Sequence, residues 1–176
     1  MVSEQVNVVL TGFMGTGKTT VGRLLAERIG YELVDTDTII ESEHGTIASI
    51  FAERGDEEFR RLEQQVAREL AERQGLVVST GGRLMLDPEN VESLGRTGRV
   101  FCLVADPEEI LRRITADAAR VERPLLAVDD PQNRIIELLA ERADGYAKFE
   151  QIHTDTRTPA QIVAEIEAAL ARDPLP

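Results

Sequence analysis

Short apolar runs alternate along the chain with longer stretches in which apolar residues recur at helical spacing. Residues 6–10, 31–35, 76–80 and 99–104 read as buried strands, and residues 151–154 as a short strand at a sheet edge. Between them, residues 20–29 carry Val21, Leu24, Leu25 and Ile29 on one helical face, with Gly30 as the stop. Residues 47–51 and 57–73 predict two helices separated by a turn at Gly55; in the second, Phe59, Leu62, Val66 and Leu70 form the apolar stripe, with Arg60 and Glu63 off it. Asp87-Pro88 and Asp106-Pro107 each open a helix with a capping carboxylate and proline in the first turn. Residues 132–149 and 160–171 complete the helical set. Strands that alternate with helices in this way predict an α/β protein of three layers, with a mainly parallel sheet of about five strands between two layers of helices. No element is read between Asp37 and Ile47, and residues 115–130 lack periodicity. A long aperiodic stretch between two helices, with Arg120 and Arg123 in it, predicts a mobile lid.

Length and composition narrow this picture. With 176 residues, 42% hydrophobic and 30% charged, the chain is expected to fold as one domain over 1–176. No apolar run approaches the ~20 residues that cross a bilayer, and Met1-Val2-Ser3-Glu4-Gln5 lacks a charged-then-apolar signal pattern, so the expectation is a cytoplasmic protein without a membrane partner, and a monomer. Cys102 is the one cysteine and lies in an apolar run, where it packs as a small hydrophobe. The net charge of −12 argues against a nucleic-acid partner, which needs a basic face. On so acidic a chain, Arg60, Arg123 and Arg142 become candidates for gathering an anionic substrate. His44 and His153 are isolated and receive no role.

The candidate chemistry begins at Gly12-Phe13-Met14-Gly15-Thr16-Gly17-Lys18-Thr19, which follows a strand and opens a helix as a phosphate-cradling loop must. Its glycines turn backbone N–H groups inward, and the first helical turn adds its positive end. Gly12, Gly15, Thr16, Gly17 and Thr20 therefore belong to an ATP site, in which Lys18 reaches the β- and γ-phosphates and the Thr19 hydroxyl faces Mg²⁺. Asp35-Thr36-Asp37 places two carboxylates just past a strand end, where open α/β sheets bind ligands. Taken alone the pair also reads as a helix cap followed by a favourable first-turn charge; beside a phosphate loop it suits a metal partner and a group that orients an acceptor hydroxyl. Gly81-Gly82 ends another strand where a ligand can approach the backbone.

The chain resembles the shikimate kinase family, small phosphate-loop kinases of the nucleoside-monophosphate-kinase-like group. The likeness rests on the loop continued by Thr20-Val21-Gly22, on Asp35-Thr36-Asp37, Ile50-Phe51 with Gly55, Phe59-Arg60 with Glu63, Thr80-Gly81-Gly82, Arg123-Pro124-Leu125-Leu126, and Arg142 with Tyr146. It implies ATP-dependent phosphorylation of a hydroxyl on a small anionic acceptor, shikimate. In that scheme Lys18, Asp37 and Arg123 are catalytic, Thr19 and Asp35 serve Mg²⁺, and Arg113 lies against the adenine. Asp37 holds the acceptor hydroxyl, Arg60 and Arg142 its carboxylate, and Gly81 and Gly82 offer backbone to it. Two departures fall in the acceptor half: Arg83 stands where the family has a third glycine, and Arg142-Ala143-Asp144-Gly145-Tyr146 where it has Arg-x-Pro-Leu-Tyr. Arg83 is expected either to pair on the surface or to face the acceptor, with Asp144 as its partner. The alternatives are a kinase of the same fold for another small hydroxy acid or polyol such as gluconate, and a nucleotide-binding module without turnover, which would need neither Asp37 nor Arg123.

Overall fold

Every residue of the first strand, β1 (Asn7–Gly12), is buried, and the rest of the sheet is laid out around it. The computed structural model describes residues 6–117 and 126–172. The other strands are β2 (Glu32–Asp35), β3 (Leu76–Ser79), β4 (Gly98–Val104) and β5 (Glu150–His153). They stand in the order β2-β3-β1-β4-β5, and every pairing is parallel. Such a sheet has apolar residues on both faces, which is why its strands read as near-continuous hydrophobic runs. Asn7 is the polar exception in β1: its amide donates to the Arg73 carbonyl at 2.7 Å and accepts from the Leu76 N–H at 2.9 Å, tying the start of β3 to the central strand.

The helices cover the two faces. On one, α1 (Lys18–Ile29) and α7 (Pro159–Arg172) pack Val21, Leu25, Ile162, Val163 and Ile166 against Val8, Leu10, Phe101 and Leu103. On the other, α2 (Thr36–His44), α3 (Ile47–Ala71) and α4 (Pro88–Thr97) pack Ile40, Ile50, Phe59, Leu62, Val66, Leu70 and Leu94 against Val9, Val34 and Val78. Each fully buried aliphatic or phenyl side chain contributes roughly 1.5–3 kcal/mol. A third cluster joins α5 (Pro107–Ala116) and α6 (Pro131–Tyr146) to Phe13 and Cys102. Cys102 is inert there, its thiol pushed up to about 11 by burial.

Three expectations change, and the turn at Gly55 holds. Helix α2 occupies a stretch where the sequence shows no element; its Asp35 cap accepts from the N–H groups of Asp37 and Thr38, so the capping reading and the strand-end reading of Asp35 both hold. Gly55 separates two helical segments as expected: its backbone is non-helical, with φ 83 and ψ 176, and it kinks the span α3 between them. Glu63 is not off the apolar stripe: it lies four residues after Phe59 and three before Val66, and is 2% exposed. The aperiodic stretch is shorter than 115–130, since α5 continues through Ala116 and a 3-10 turn is present at Leu126. Arg120 and Arg123 lie outside the described residues.

Candidate active site

The site lies at the carboxyl ends of the strands. Gly12 closes β1 with φ 131, and a Cβ there would run into the Leu103 carbonyl oxygen of β4, so only glycine lets the loop leave the sheet along that strand. The loop then folds on itself. Phe13 is buried, the Thr16 hydroxyl donates to the Phe13 carbonyl at 2.7 Å, and Lys18 Nζ donates to the carbonyls of Gly12 and Phe13 at 2.8 and 2.9 Å. Helix α1 starts at Lys18 behind Gly17, which offers no capping side chain. Its first N–H groups thus face the loop, in the arrangement that receives phosphate oxygens.

Arg113 braces this loop from outside. It donates from Nη1 to the carbonyls of Gly15 and Thr16, each at 3.3 Å, and to the Thr154 hydroxyl at 2.9 Å, and from Nη2 to the Thr154 carbonyl at 2.8 Å. Its Nε donates to Glu109 at 2.7 Å. The guanidinium thereby ties α5, the end of β5 and the phosphate loop together.

Three oxygens converge beside Lys18. The Thr19 hydroxyl donates to Asp35 Oδ2 at 3.3 Å and lies 3.4 Å from the Ser79 hydroxyl, while Asp35 Oδ1 is occupied by the α2 cap. One carboxylate thus caps a helix with one oxygen and presents the other to the cavity. A small set of hard oxygen donors fits Mg²⁺, which takes one or two protein ligands and completes its shell with water and phosphate. Ser79 is not among the residues that the sequence singles out; its signal is a polar residue ending an otherwise apolar strand, buried to 1%.

Asp37 lies two residues after Asp35, in the first turn of α2. Its Oδ1 is buried and has no hydrogen-bond partner among the described residues. Burial first, and the neighbouring Asp35 charge second, push its carboxyl up to about 6, with Lys18 opposing. The main chain at Gly81 passes so close that a Cβ would sit 2.6 Å from that oxygen, and the Gly81 N–H donates to Thr36 at 2.9 Å, which fixes the approach. Gly81→Ala is therefore expected to displace the Asp37 carboxylate and lower kcat about 10²-fold with little change in ATP affinity, as steady-state kinetics and nucleotide titration will read.

The far end of the cavity holds the guanidinium groups. Arg60 donates to Glu63 at 2.5 Å and to Asp56 at 3.2 Å, and lies over the Phe59 ring at 5.1 Å. Its Nε is buried and has no hydrogen-bond partner among the described residues. Glu63, to which the sequence alone assigns no role, holds Arg60 in place; burial raises its carboxyl to about 7 against the pull of Arg60. A charged residue at an apolar-stripe position was the signal for it. Arg142 is 6% exposed and lies over the Phe13 ring at 5.2 Å, beside Tyr146, whose hydroxyl donates to the Gly82 carbonyl at 2.5 Å. Of the two departures, Arg83 lines the cavity. Asp144 is exposed, and no ion pair joins it to Arg83 among the described residues. Gly145 faces Leu86, whose side chain takes the space a larger residue would need.

One cavity of about 530 Å³ joins these groups. It is lined by Gly15, Gly17, Lys18, Thr19 and Thr20 at one end and by Arg60, Gly82 and Arg142 at the other, with Asp35, Asp37, Ser79 and Gly81 between. Its size suits a small ligand. Of the described candidates, Gly12 and Thr16 of the loop and Arg113 behind it are not in the cavity wall.

The family model described as shikimate kinase matches residues 14–171. A shikimate kinase from Symbiobacterium thermophilum is 45% identical over 163 residues, 91% of this chain and 93% of that one. One from Caldicellulosiruptor saccharolyticus is 44% identical, covering 90% and 91%. Among solved structures, the shikimate kinase from Acinetobacter baumannii in complex with shikimate superposes with a TM-score of 0.87 at 35% identity, over 98% of this chain and 96% of that one. A gluconokinase from Sinorhizobium meliloti, at 20% identity and a TM-score of 0.62, shares the fold.

Proposed function

The chain belongs to the shikimate kinase family, and from that premise we propose that it transfers the γ-phosphoryl group of ATP to a hydroxyl of shikimate, giving shikimate 3-phosphate for aromatic amino-acid biosynthesis. The observation that carries this reading is the single cavity with a phosphate loop at one end, two guanidinium groups at the other and the Asp37 carboxyl between them.

Asp37 accepts the proton of the acceptor hydroxyl as its oxygen bonds to the γ-phosphorus and the bond to the leaving ADP oxygen breaks. Asp37 lines the cavity between the phosphate loop and the guanidinium groups, which puts its carboxyl where an acceptor hydroxyl would lie. Lys18 leaves the Gly12 and Phe13 carbonyls for phosphate oxygens and, with the N-terminus of α1, stabilises their negative charge. Mg²⁺, held by Thr19 and Asp35 with Ser79 alongside, supplies charge neutralisation for the phosphates when bound. Arg123, which lies outside the described residues, keeps the catalytic role that the family resemblance implies, and Arg113 steadies the nucleotide side of the loop. Gly82, with Gly81, presents backbone to the acceptor. On this reading the enzyme is one domain, works as a monomer in the cytoplasm and has no nucleic-acid or membrane partner. Among the described residues, no helix is long and apolar enough to cross a membrane.

Arg60 and Arg142 bind the acceptor carboxylate through charged hydrogen bonds, each worth roughly 1.5–3 kcal/mol. Alanine at either position is expected to raise the KM for shikimate about tenfold or more. Arg60→Ala carries a second cost, because it strands the 2% exposed Glu63 without its partner; its Tm falls as well, and thermal unfolding separates the two effects. A KM unchanged in both variants contradicts the assignment.

A coupled ADP-release assay across shikimate, gluconate and related hydroxy acids tests the function as a whole. Shikimate is expected to give the highest kcat/KM by orders of magnitude. Turnover of gluconate in preference to shikimate overturns the reading, as does nucleotide binding with no turnover of any acceptor.

A further inference from the structure

The geometry points to Arg83 as a specificity-determining residue of the acceptor site, a cation that draws in and holds an acceptor carrying a carboxylate. This rests on the kinase reading above and adds a group to which that reading gives no role.

The main chain around Arg83 is fixed on both sides. Before it, the Gly82 carbonyl accepts from the Tyr146 hydroxyl, and a Cβ at Gly82 would lie 3.4 Å from Arg142 Nη1. After it, Leu84 and Met85 are buried to 0% and 1%, and the Leu86 N–H donates to the Arg83 carbonyl at 2.9 Å. The side chain alone is left exposed, on the cavity wall. It makes no hydrogen bond or ion pair among the described residues. Arg60 differs in being engaged by Glu63 and Asp56. The charge of Arg83 is felt at both Glu63 and Tyr146, which places it toward the end of the cavity where Arg60 and Arg142 stand.

The balance of charge gives this position its weight. The charged side chains lining the cavity among the described residues are Lys18, Arg60, Arg83 and Arg142 against Asp35, Asp37, Glu63 and Asp117. By formal charge, Arg83 brings the count of that wall from net negative to even, in a protein whose formal charge is −12. An anionic acceptor entering beside a polyanionic nucleotide meets repulsion from such a surface, and an exposed guanidinium at the mouth offsets it. A neutral acceptor gains nothing from the same group.

Steady-state kinetics of the full chain with saturating ATP test this, using shikimate and its methyl ester as acceptors. Arg83→Ala is expected to raise the KM for shikimate about three- to tenfold, in keeping with a partly exposed charged contact, with kcat and the KM for ATP each within about twofold of wild type. Arg83→Lys should restore most of the loss because it keeps the charge. The ester should show a much smaller difference between wild type and Arg83→Ala, and raised ionic strength should narrow the difference for shikimate. A shikimate KM that is unchanged or lower in Arg83→Ala overturns the inference, and so does an equal rise for acid and ester or a rise in the KM for ATP alone. In all of these cases wild-type turnover of shikimate leaves the proposed function standing. A wild type that does not phosphorylate shikimate overturns that function, and this inference with it.

Discussion

Lys18→Ala is expected to lower kcat by about 10³-fold or more, a loss of some 4 kcal/mol of transition-state stabilisation, while the protein remains folded. Phosphoryl transfer gives a protein little covalent work, so positioned charge supplies most of the catalysis, and Lys18 is the cation rooted in the phosphate loop itself. The structure adds a second consequence. Lys18 Nζ donates to the carbonyls of Gly12 and Phe13, so without ligand it holds the loop closed on itself. Removing it costs the loop these contacts, together roughly 1–3 kcal/mol, which corresponds to a fall in Tm of about 2–4 °C per kcal/mol for a domain of this size. Lys18→Arg is expected to restore little, since a planar guanidinium does not fit where a compact ammonium serves both carbonyls. Kinetics, nucleotide titration and thermal unfolding of the two variants check this. Turnover near the wild-type level in folded Lys18→Ala contradicts the role given to the loop.

The regions of this molecule that were legible in the sequence are those in which one short stretch carries its own meaning. A buried parallel strand needs apolar side chains on both faces, so β1, β3 and β4 stand out as continuous runs. The phosphate loop is equally self-contained, since its glycines, lysine and helix start are contiguous. Helix α2 was hidden because a nine-residue helix that buries only Thr36 and Ile40 shows too little periodicity to register. Glu63 was hidden for the opposite reason: it lies on the apolar stripe of α3, and only the placement of Arg60 beside it explains a carboxylate there. Ser79 comes from β3 and meets Thr19 of α1 only through the parallel register of the sheet. Gly81 was legible as a strand-end glycine that a ligand can approach, but its constraint against the Asp37 carboxyl appears only in the structure. The departure at Asp144-Gly145 loses its significance for the acceptor in the same way, because Leu86 from a distant turn fills that space.

Asp37→Asn is expected to lower kcat by ~10²–10⁴-fold, the usual worth of a positioned general base, and to leave ATP affinity nearly intact. It is also expected to make the protein more stable at alkaline pH. In the native structure burial, with the Asp35 charge beside it, raises the Asp37 carboxyl from 3.8 to about 6. A folded-state value above the unfolded one means that the stability held by the protonated form is fully present below about 4 and is lost as pH rises through about 6. At pH 8 the wild type therefore carries a carboxylate in surroundings that disfavour it, held there by the fold around it. Asparagine keeps the shape without the charge, so Tm of the variant should exceed that of the wild type at pH 8 and converge on it toward pH 4. Activity runs the other way: the wild-type kcat/KM should climb as pH rises through about 6 and the proton acceptor forms, and this limb should be missing from the residual activity of the variant. Thermal unfolding across pH 4–8, beside pH–rate profiles of both proteins, reads both trends at once. If Asp37→Asn weakened ATP binding as much as it lowered turnover, Asp37 would belong to the nucleotide site. If it lowered Tm at pH 8, the carboxylate would be a structural support and not a strained catalytic group.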